Sequence, residues 1–201
     1  MIKIYGTKQS RATRVIWTAL ELGLPHELVV VDRLAGDHKK PEFLKINPNG
    51  RIPALEDDGL VMFESLAMTL YLAKKAGGPL APKDLKEDAL MTMWTLWGVN
   101  EVEPHSVQIL YHRMLWPEDQ RDEQKALASI ETLRAPLAVL EAHLDKHDYV
   151  VGDRFTVADI NVAAVCAYAR LAPELLKSYP HVEAYINRIM ERPHQLASRK
   201  A

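Results

Sequence analysis

A single cysteine, Cys166, occurs in the chain. This excludes an internal disulfide and any paired-cysteine redox or zinc motif, and it reads as a reducing, cytoplasmic setting. No apolar run approaches the about 18 residues of a membrane span. Neither sign of charge dominates: the formal net charge is −2, which lacks the electrostatic footprint of a general nucleic-acid binder. Internal repeats and low-complexity tracts are missing too. Eight histidines are present, but only His143 and His147 stand four apart, with no third ligand in evidence, so no metal is expected. The opening residues Met1-Ile2-Lys3-Ile4-Tyr5 enter strand-like alternation directly and read as lacking a signal peptide. What remains is an ordinary soluble composition, 48% hydrophobic and 26% charged over 201 residues, enough for one large domain or two small ones.

Ile2 to Tyr5 is predicted to form a strand. Ala12, Val15, Ile16, Ala19 and Leu20 fall on one helical face, with Ser10 as N-cap and Gly23 and Pro25 as the stop. Leu28 to Val31 reads as a second strand, buried because its apolar character is continuous. Strand–helix–strand order favours parallel pairing. A polar loop, 32–40, precedes a short helix over 41–46. Ala54–Glu56 and Leu60–Phe63 are predicted to pair around Asp57-Asp58-Gly59, and a helix is predicted over 65–76. Gly77-Gly78-Pro79 is the strongest linker signal. Everything after it reads as helix: segments over 84–111 and 118–145, kinked by Pro104 and Pro136, a helix opened by the capping element Thr156 to Asp159, and a last helix between Pro180 and Pro193.

The segment Asn47-Pro48-Asn49-Gly50-Arg51-Ile52-Pro53, followed by Glu64-Ser65, is the most informative. Pro53 at the entrance of an apolar run leaves the backbone of Ile52 outside a ladder, and an X-Pro bond there can be cis. Ser65 reads as a helix N-cap, with its N–H and hydroxyl aimed at an anion. A loop with free backbone groups beside a helix start suits a peptide-like anionic ligand.

These motifs, in this order and spacing, resemble the cytosolic glutathione S-transferase family over nearly the whole chain. The segment 47–53 is similar to the family's N-P-x-G-x-I/V-P run, Glu64-Ser65 to its E-S pair, and Thr156–Asp159 to the buried cap of its helical half. Ser10-Arg11-Ala12-Thr13-Arg14 is similar to the serine-type classes (theta, phi and delta). His38 to Phe43 resembles the phi-type loop. Asn49 and Arg51 depart from the phi pattern, so the resemblance implies a bacterial-style serine-type relative (theta/phi-like). It further implies a thioredoxin-like α/β domain over 1–77, a linker over 78–86 and an all-helical domain over 87–201.

A free thiol ionises near pH 8.5, and the thiolate is the nucleophile toward electrophilic carbon. Lowering a thiol pKa by about 2 units takes about 2.7 kcal/mol, and one hydrogen bond to a charged group supplies roughly 1.5–3 kcal/mol. The resemblance makes Ser10 the donor to the glutathione sulfur. Tyr5, at the end of the first strand, is the rival donor. Arg14 would add positive charge near the site or form a surface ion pair. By the same resemblance Ile52 pairs through its backbone with the cysteinyl unit and Pro53 shapes that edge. Glu64 faces the γ-glutamyl ammonium and Ser65 binds its carboxylate. His38, Lys39 and Arg51 meet the glycine carboxylate. Trp97, Glu101, His105, Gln108 and Tyr111 are the candidates for an electrophile pocket, against core packing or a subunit interface. Cys166 reads as an inert buried thiol.

The expectation is a glutathione transferase that conjugates glutathione, its co-substrate, to a hydrophobic electrophile in detoxification-type chemistry, as a homodimer without metal, nucleic acid or membrane partners. The alternatives are a glutathione-binding or regulatory protein of the same fold without turnover, or a glutathione-dependent peroxidase or isomerase. Lack of a site cysteine argues against thiol–disulfide exchange through the protein.

Overall fold

A computed structural model describes residues 1–200. The chain forms two compact units, one of residues 1–81 with 192–201 and the other of residues 82–191. Residues 192–200, expected within a C-terminal domain over 87–201, thus group with the N-terminal unit.

In the first unit, β1 (Ile2–Gly6), α1 (Ala12–Glu21) and β2 (His26–Val30) make a strand–helix–strand turn, followed by α2 (Pro41–Leu44), β3 (Ala54–Asp57), β4 (Leu60–Phe63) and α3 (Ser65–Ala76). The sheet order is β2-β1-β3-β4. β1 and β2 are parallel, with Ile4 opposite Leu28, and the other two pairings are antiparallel. Asp58 and Gly59 both have positive φ (49° and 85°), as the two-residue hairpin turn at Asp-Gly requires. The alternation of β1 sends Ile2 and Ile4 into a core with Val15, Ile16 and Ala19 of α1, Leu55 of β3 and Met68 and Leu72 of α3. Tyr5 packs on the other face with Phe43 and Ala54.

β2 corrects an expectation. It begins at His26, ends at Val30 and is not buried: it is a sheet edge, and Val30 is 67% exposed. A continuous apolar run does not distinguish a central strand from an edge strand. The short helix also stops at Leu44 instead of running to Ile46. The unit closes with α10 (Pro193–Arg199), which packs on α1. Glu21 at the end of α1 accepts from Trp17 Nε1 (3.0 Å), Arg192 Nε (2.8 Å) and Arg192 Nη2 (3.1 Å). The Arg192 and Trp17 donors hold its carboxyl below the usual range, against the effect of burial.

The second unit is helical: α4 (Leu85–Trp97), α5 (Glu103–Leu110), α6 (Glu123–Leu144), α7 (Val157–Cys166), α8 (Pro173–Leu176) and α9 (Pro180–Met190). The helix expected over 84–111 is instead α4 and α5 joined by a π turn, Gly98–Val102, and a second π turn, Tyr111–Leu115, extends it. Pro104 follows the first π turn, where the widened ring accommodates its missing N–H. Pro136 lies buried inside α6 without ending it. The predicted cap of α7 forms a full capping box: Asp159 Oδ2 accepts from Thr156 N–H (2.8 Å), and both residues are fully buried. Among the described residues, no helix is long and apolar enough to cross a membrane.

Candidate functional site

β1 ends at Gly6, and the turn 7–10 leads into α1. The Thr7 carbonyl accepts both the Ser10 N–H (3.0 Å) and the Ser10 hydroxyl (2.7 Å). In return Ser10 Oγ accepts the N–H groups of Ala12 (3.2 Å) and Thr7 (3.3 Å). The residue in the N-cap position is Arg11, not Ser10, yet the Ser10 oxygen still takes a leading N–H of α1. Two N–H groups donating into Oγ draw electron density from it, which makes its O–H a better donor. In this structure that proton goes to a carbonyl. A thiolate would compete well for it, because a bond to an ionised acceptor is roughly twice as strong. The Thr7 carbonyl would keep its bond from Ser10 N–H. The net gain at sulfur is therefore about 1–1.5 kcal/mol, so α1's N-terminus must supply the rest of a two-unit shift.

Gly6 gathers this corner. A Cβ built on it would lie 2.8 Å from Ala12 Cβ, 3.3 Å from Ser10 Oγ and 3.7 Å from Ile52 Cβ. Ser10 and Ile52, far apart in sequence, thus flank one glycine. The Ile52–Pro53 bond is cis. The loop before it is braced by Asn47, which is buried. Asn47 Nδ2 donates to the Arg51 carbonyl (2.6 Å), and its Oδ1 accepts the Asn49 N–H (3.1 Å). Gly50 has φ +56°, and a Cβ there would meet Lys39 Nζ at 2.8 Å and the His38 carbonyl at 3.0 Å. That places the Asp37–Lys39 turn beside Gly50 and Arg51, so the predicted glycine-end residues share one neighbourhood. His38 Nδ1 is buried without a hydrogen-bond partner among the described residues, a deficit of roughly 1–3 kcal/mol that a ligand group placed there would offset.

Glu64, not Ser65, occupies the N-cap position of α3, with φ +73° and ψ 104°. For a side-chain-bearing residue this backbone costs about 1–3 kcal/mol and tends to persist where function over-determines it. Ser65 is the first helical residue and is buried. Its Oγ accepts from Arg14 Nη1 at 3.4 Å. Arg14 itself is only 4% exposed, which rules out the surface ion pair.

Tyr5 is differently committed. Its phenol donates to Glu56 Oε2 at 2.8 Å, and burial together with that carboxylate pushes its pKa up to about 12.

In the helical unit, Trp97 packs edge-on against Trp94 (5.0 Å) and Tyr111 stacks on Trp116 (5.2 Å, 2° between planes). These contacts give Trp94 and Trp116, unassigned from sequence, a packing role. Glu101 is exposed, and His105 and Gln108 are half-buried. The first π turn, Gly98–Val102, falls between Trp97 and His105 and shifts the helical register there. Cys166 is fully buried, and desolvation raises its pKa to about 12. His143 stacks on His147 at 4.6 Å. Among the described residues, no group of three metal-ligating side chains comes together.

Sequence reasoning overlooked Gly6 and Gly50 as cradles, Asn47 as the brace and Glu56 as the partner of Tyr5. A glycine ending a strand four residues before a loop serine was the available signal for the first. The others depend on contacts across the sheet and between loops.

Two family models match the chain: "Glutathione S-transferase, N-terminal domain" over residues 10–75 and "Glutathione S-transferase, C-terminal domain" over residues 102–193. Among curated proteins, the probable glutathione S-transferase GSTF2 of Oryza sativa subsp. japonica is 35% identical, covering 96% of this chain and 93% of that protein. Among solved structures, glutathione transferase F7 from Populus trichocarpa matches with a TM-score of 0.90 and 33% identity, covering all of both chains. A glutathione S-transferase-I bound with lactoylglutathione matches with a TM-score of 0.88 and 32% identity, covering 98% of each. The rice and poplar relatives are plant proteins, which corrects the expected bacterial-style placement.

Proposed function

Because the chain belongs to the glutathione S-transferase family, we propose that it is a glutathione transferase of the serine type, with Ser10 as donor to the glutathione sulfur and a hydrophobic electrophile as second substrate. Its likeness to plant enzymes and its His38–Phe43 loop favour a phi-like relative. The observation that carries the reading is the meeting of Ser10 Oγ and Ile52 at Gly6. It sets the hydroxyl near the residue whose backbone would pair with the cysteinyl unit, as an added strand does.

The remaining roles follow from position. Ser65, at the start of α3, meets the γ-glutamyl carboxylate in the field of the helix N-terminus, and exposed Glu64 meets the ammonium. His38, Lys39 and Arg51, gathered around Gly50, meet the glycine carboxylate through charge-assisted bonds. Trp97, Glu101, His105, Gln108 and Tyr111 are offered for the electrophile, within detoxification-type conjugation in the cytoplasm. A homodimer is proposed on the exposed apolar side chains Leu90, Met93 and Leu96 of α4 and Leu60, Val61 and Phe63 of β4. Among the described residues α3 exposes no large apolar side chain and is left out of that interface.

Purified protein should be retained on immobilised glutathione and should turn over a model aryl halide. Ser10→Ala should lower kcat about five- to tenfold near neutral pH while glutathione affinity changes little. Retention without turnover of any electrophile would instead establish a binding protein, and an unchanged kcat in Ser10→Ala would remove the serine assignment.

A further inference from the structure

Ser10, in the turn before α1, and Arg14, in the first turn of α1, stand four residues apart and serve different neighbours. The hydroxyl of Ser10 is held by Thr7 and Ala12. The guanidinium of Arg14 reaches across to α3, where Nη1 donates to Ser65 Oγ. Both ends of that contact are buried, at 4% and 5% exposure. The Arg14 carbonyl is also tied down, accepting from Thr18 Oγ1 at 2.9 Å, so the arginine is anchored in α1 before it reaches out.

A guanidinium can only donate. At this contact Ser65 Oγ is therefore the acceptor, and its own proton must point away from Arg14. Ser65 is the first residue of α3, a helix of 12 residues whose leading N–H groups have no intrahelical partner and carry partial positive charge. Arg14 thus stands behind a hydroxyl already oriented outward, next to N–H donors, and adds a full positive charge to the same spot. This is the complement of one carboxylate.

We infer that Arg14 is a positioning residue for the γ-glutamyl carboxylate: by donating into Ser65 Oγ it fixes that hydroxyl as a donor to the ligand, and it does not activate the sulfur. The inference rests on the proposed role of Ser65 at that carboxylate. It assigns to substrate capture a charge that lies only four residues beyond the sulfur donor.

The test uses the full chain and two ligands: glutathione, and the analogue with a 4-aminobutyryl group in place of γ-glutamyl, which lacks only that carboxylate. Affinities are measured calorimetrically, and thiol ionisation in each complex by ultraviolet titration. In the wild-type protein glutathione should bind about tenfold tighter than the analogue. Arg14→Lys should weaken glutathione by about tenfold while the analogue changes less than about twofold, with the thiol ionising at an unchanged pH. Ser65→Ala should show the same pattern, and the double variant should lose little more than either single one. Arg14→Gln, which keeps a neutral donor, carries the same comparison if lysine does not fit. Equal weakening of both ligands, or a raised thiol pKa in either Arg14 variant, overturns the inference. A wild-type protein that binds the two ligands equally overturns the reading of Ser65, and the inference with it.

Discussion

The phenol of Tyr5 donates to Glu56 Oε2 at 2.8 Å, across the pair of strands β1 and β3. Tyr5 is the penultimate residue of β1, the strand that leads to the Ser10 loop. Its proton is already committed to a carboxylate, and releasing it would leave that carboxylate short of a partner in a half-buried place.

Tyr5→Phe should therefore be a stability variant and not a catalytic one. Losing a hydrogen bond to a charged group costs about 1.5–3 kcal/mol, which chemical denaturation would register. Turnover with glutathione and a model electrophile should stay within about twofold of wild type at a temperature where the variant is folded. A tenfold fall in kcat would return Tyr5 to the sulfur.

Ser10→Ala should move the pH profile of kcat/KM. A hydroxyl that gains about 1–1.5 kcal/mol on passing from the Thr7 carbonyl to a thiolate lowers the thiol pKa by about one unit. The alanine variant should therefore show its rise in rate about one unit higher, toward the about 8.5 of a free thiol. The test is the midpoint of the profile; an unmoved midpoint with a lower plateau would mean that Ser10 acts on geometry alone.

Gly6→Ala should injure the site through backbone and not through chemistry. The added methyl would sit 2.8 Å from Ala12 Cβ, and neither carbon is on a flexible side chain, so α1 and the Ser10 loop must move apart. Overpacking of this kind costs about 1–3 kcal/mol, and a small displacement of a reacting group is felt strongly in rate. Gly6→Ala with Ala12→Gly should recover part of both losses, since it removes the closest clash. No recovery in the double variant would place the damage in the φ of Gly6 instead.

How much of this was legible beforehand differs from residue to residue. The Asp-Gly hairpin, the start and end of α3 and the Thr156–Asp159 box were readable because each is governed by residues close in sequence. The edge position of β2 was not, since burial of a strand depends on which neighbours flank it, and that is a property of the sheet. Ser10 was identified, but the commitment of its proton to Thr7 depends on how the turn closes, and so on distances no spacing encodes. The Arg14–Ser65 contact spans 51 positions and is invisible without the fold. The ten C-terminal residues read as more of the helical half because nothing local shows that Glu21 holds Arg192.

The acid limb of stability should depend on one pair inside the helical unit. Arg154 donates to Glu87 through Nη1 and Nη2, the latter at 2.8 Å, and Glu87 also accepts from the Lys83 N–H at 2.5 Å. These donors, Arg154 foremost, hold the Glu87 carboxyl at about 2, below its ordinary 4.5. A carboxyl more acidic in the folded chain than in the unfolded one stabilises the fold when ionised. Its contribution is complete above about pH 4.5 and is lost as the pH falls through about 2. Glu87→Gln should thus be less stable than wild type at pH 6, by about 1–3 kcal/mol for the charge-assisted bonds. The gap should narrow between pH 4.5 and pH 2, because the wild-type carboxyl becomes neutral there as well. Denaturant melts of both proteins at several pH values measure this directly. A gap that stays constant down to pH 2 would show that the pair acts through shape alone, since amide and acid are nearly the same size and differ in charge only while the acid is ionised.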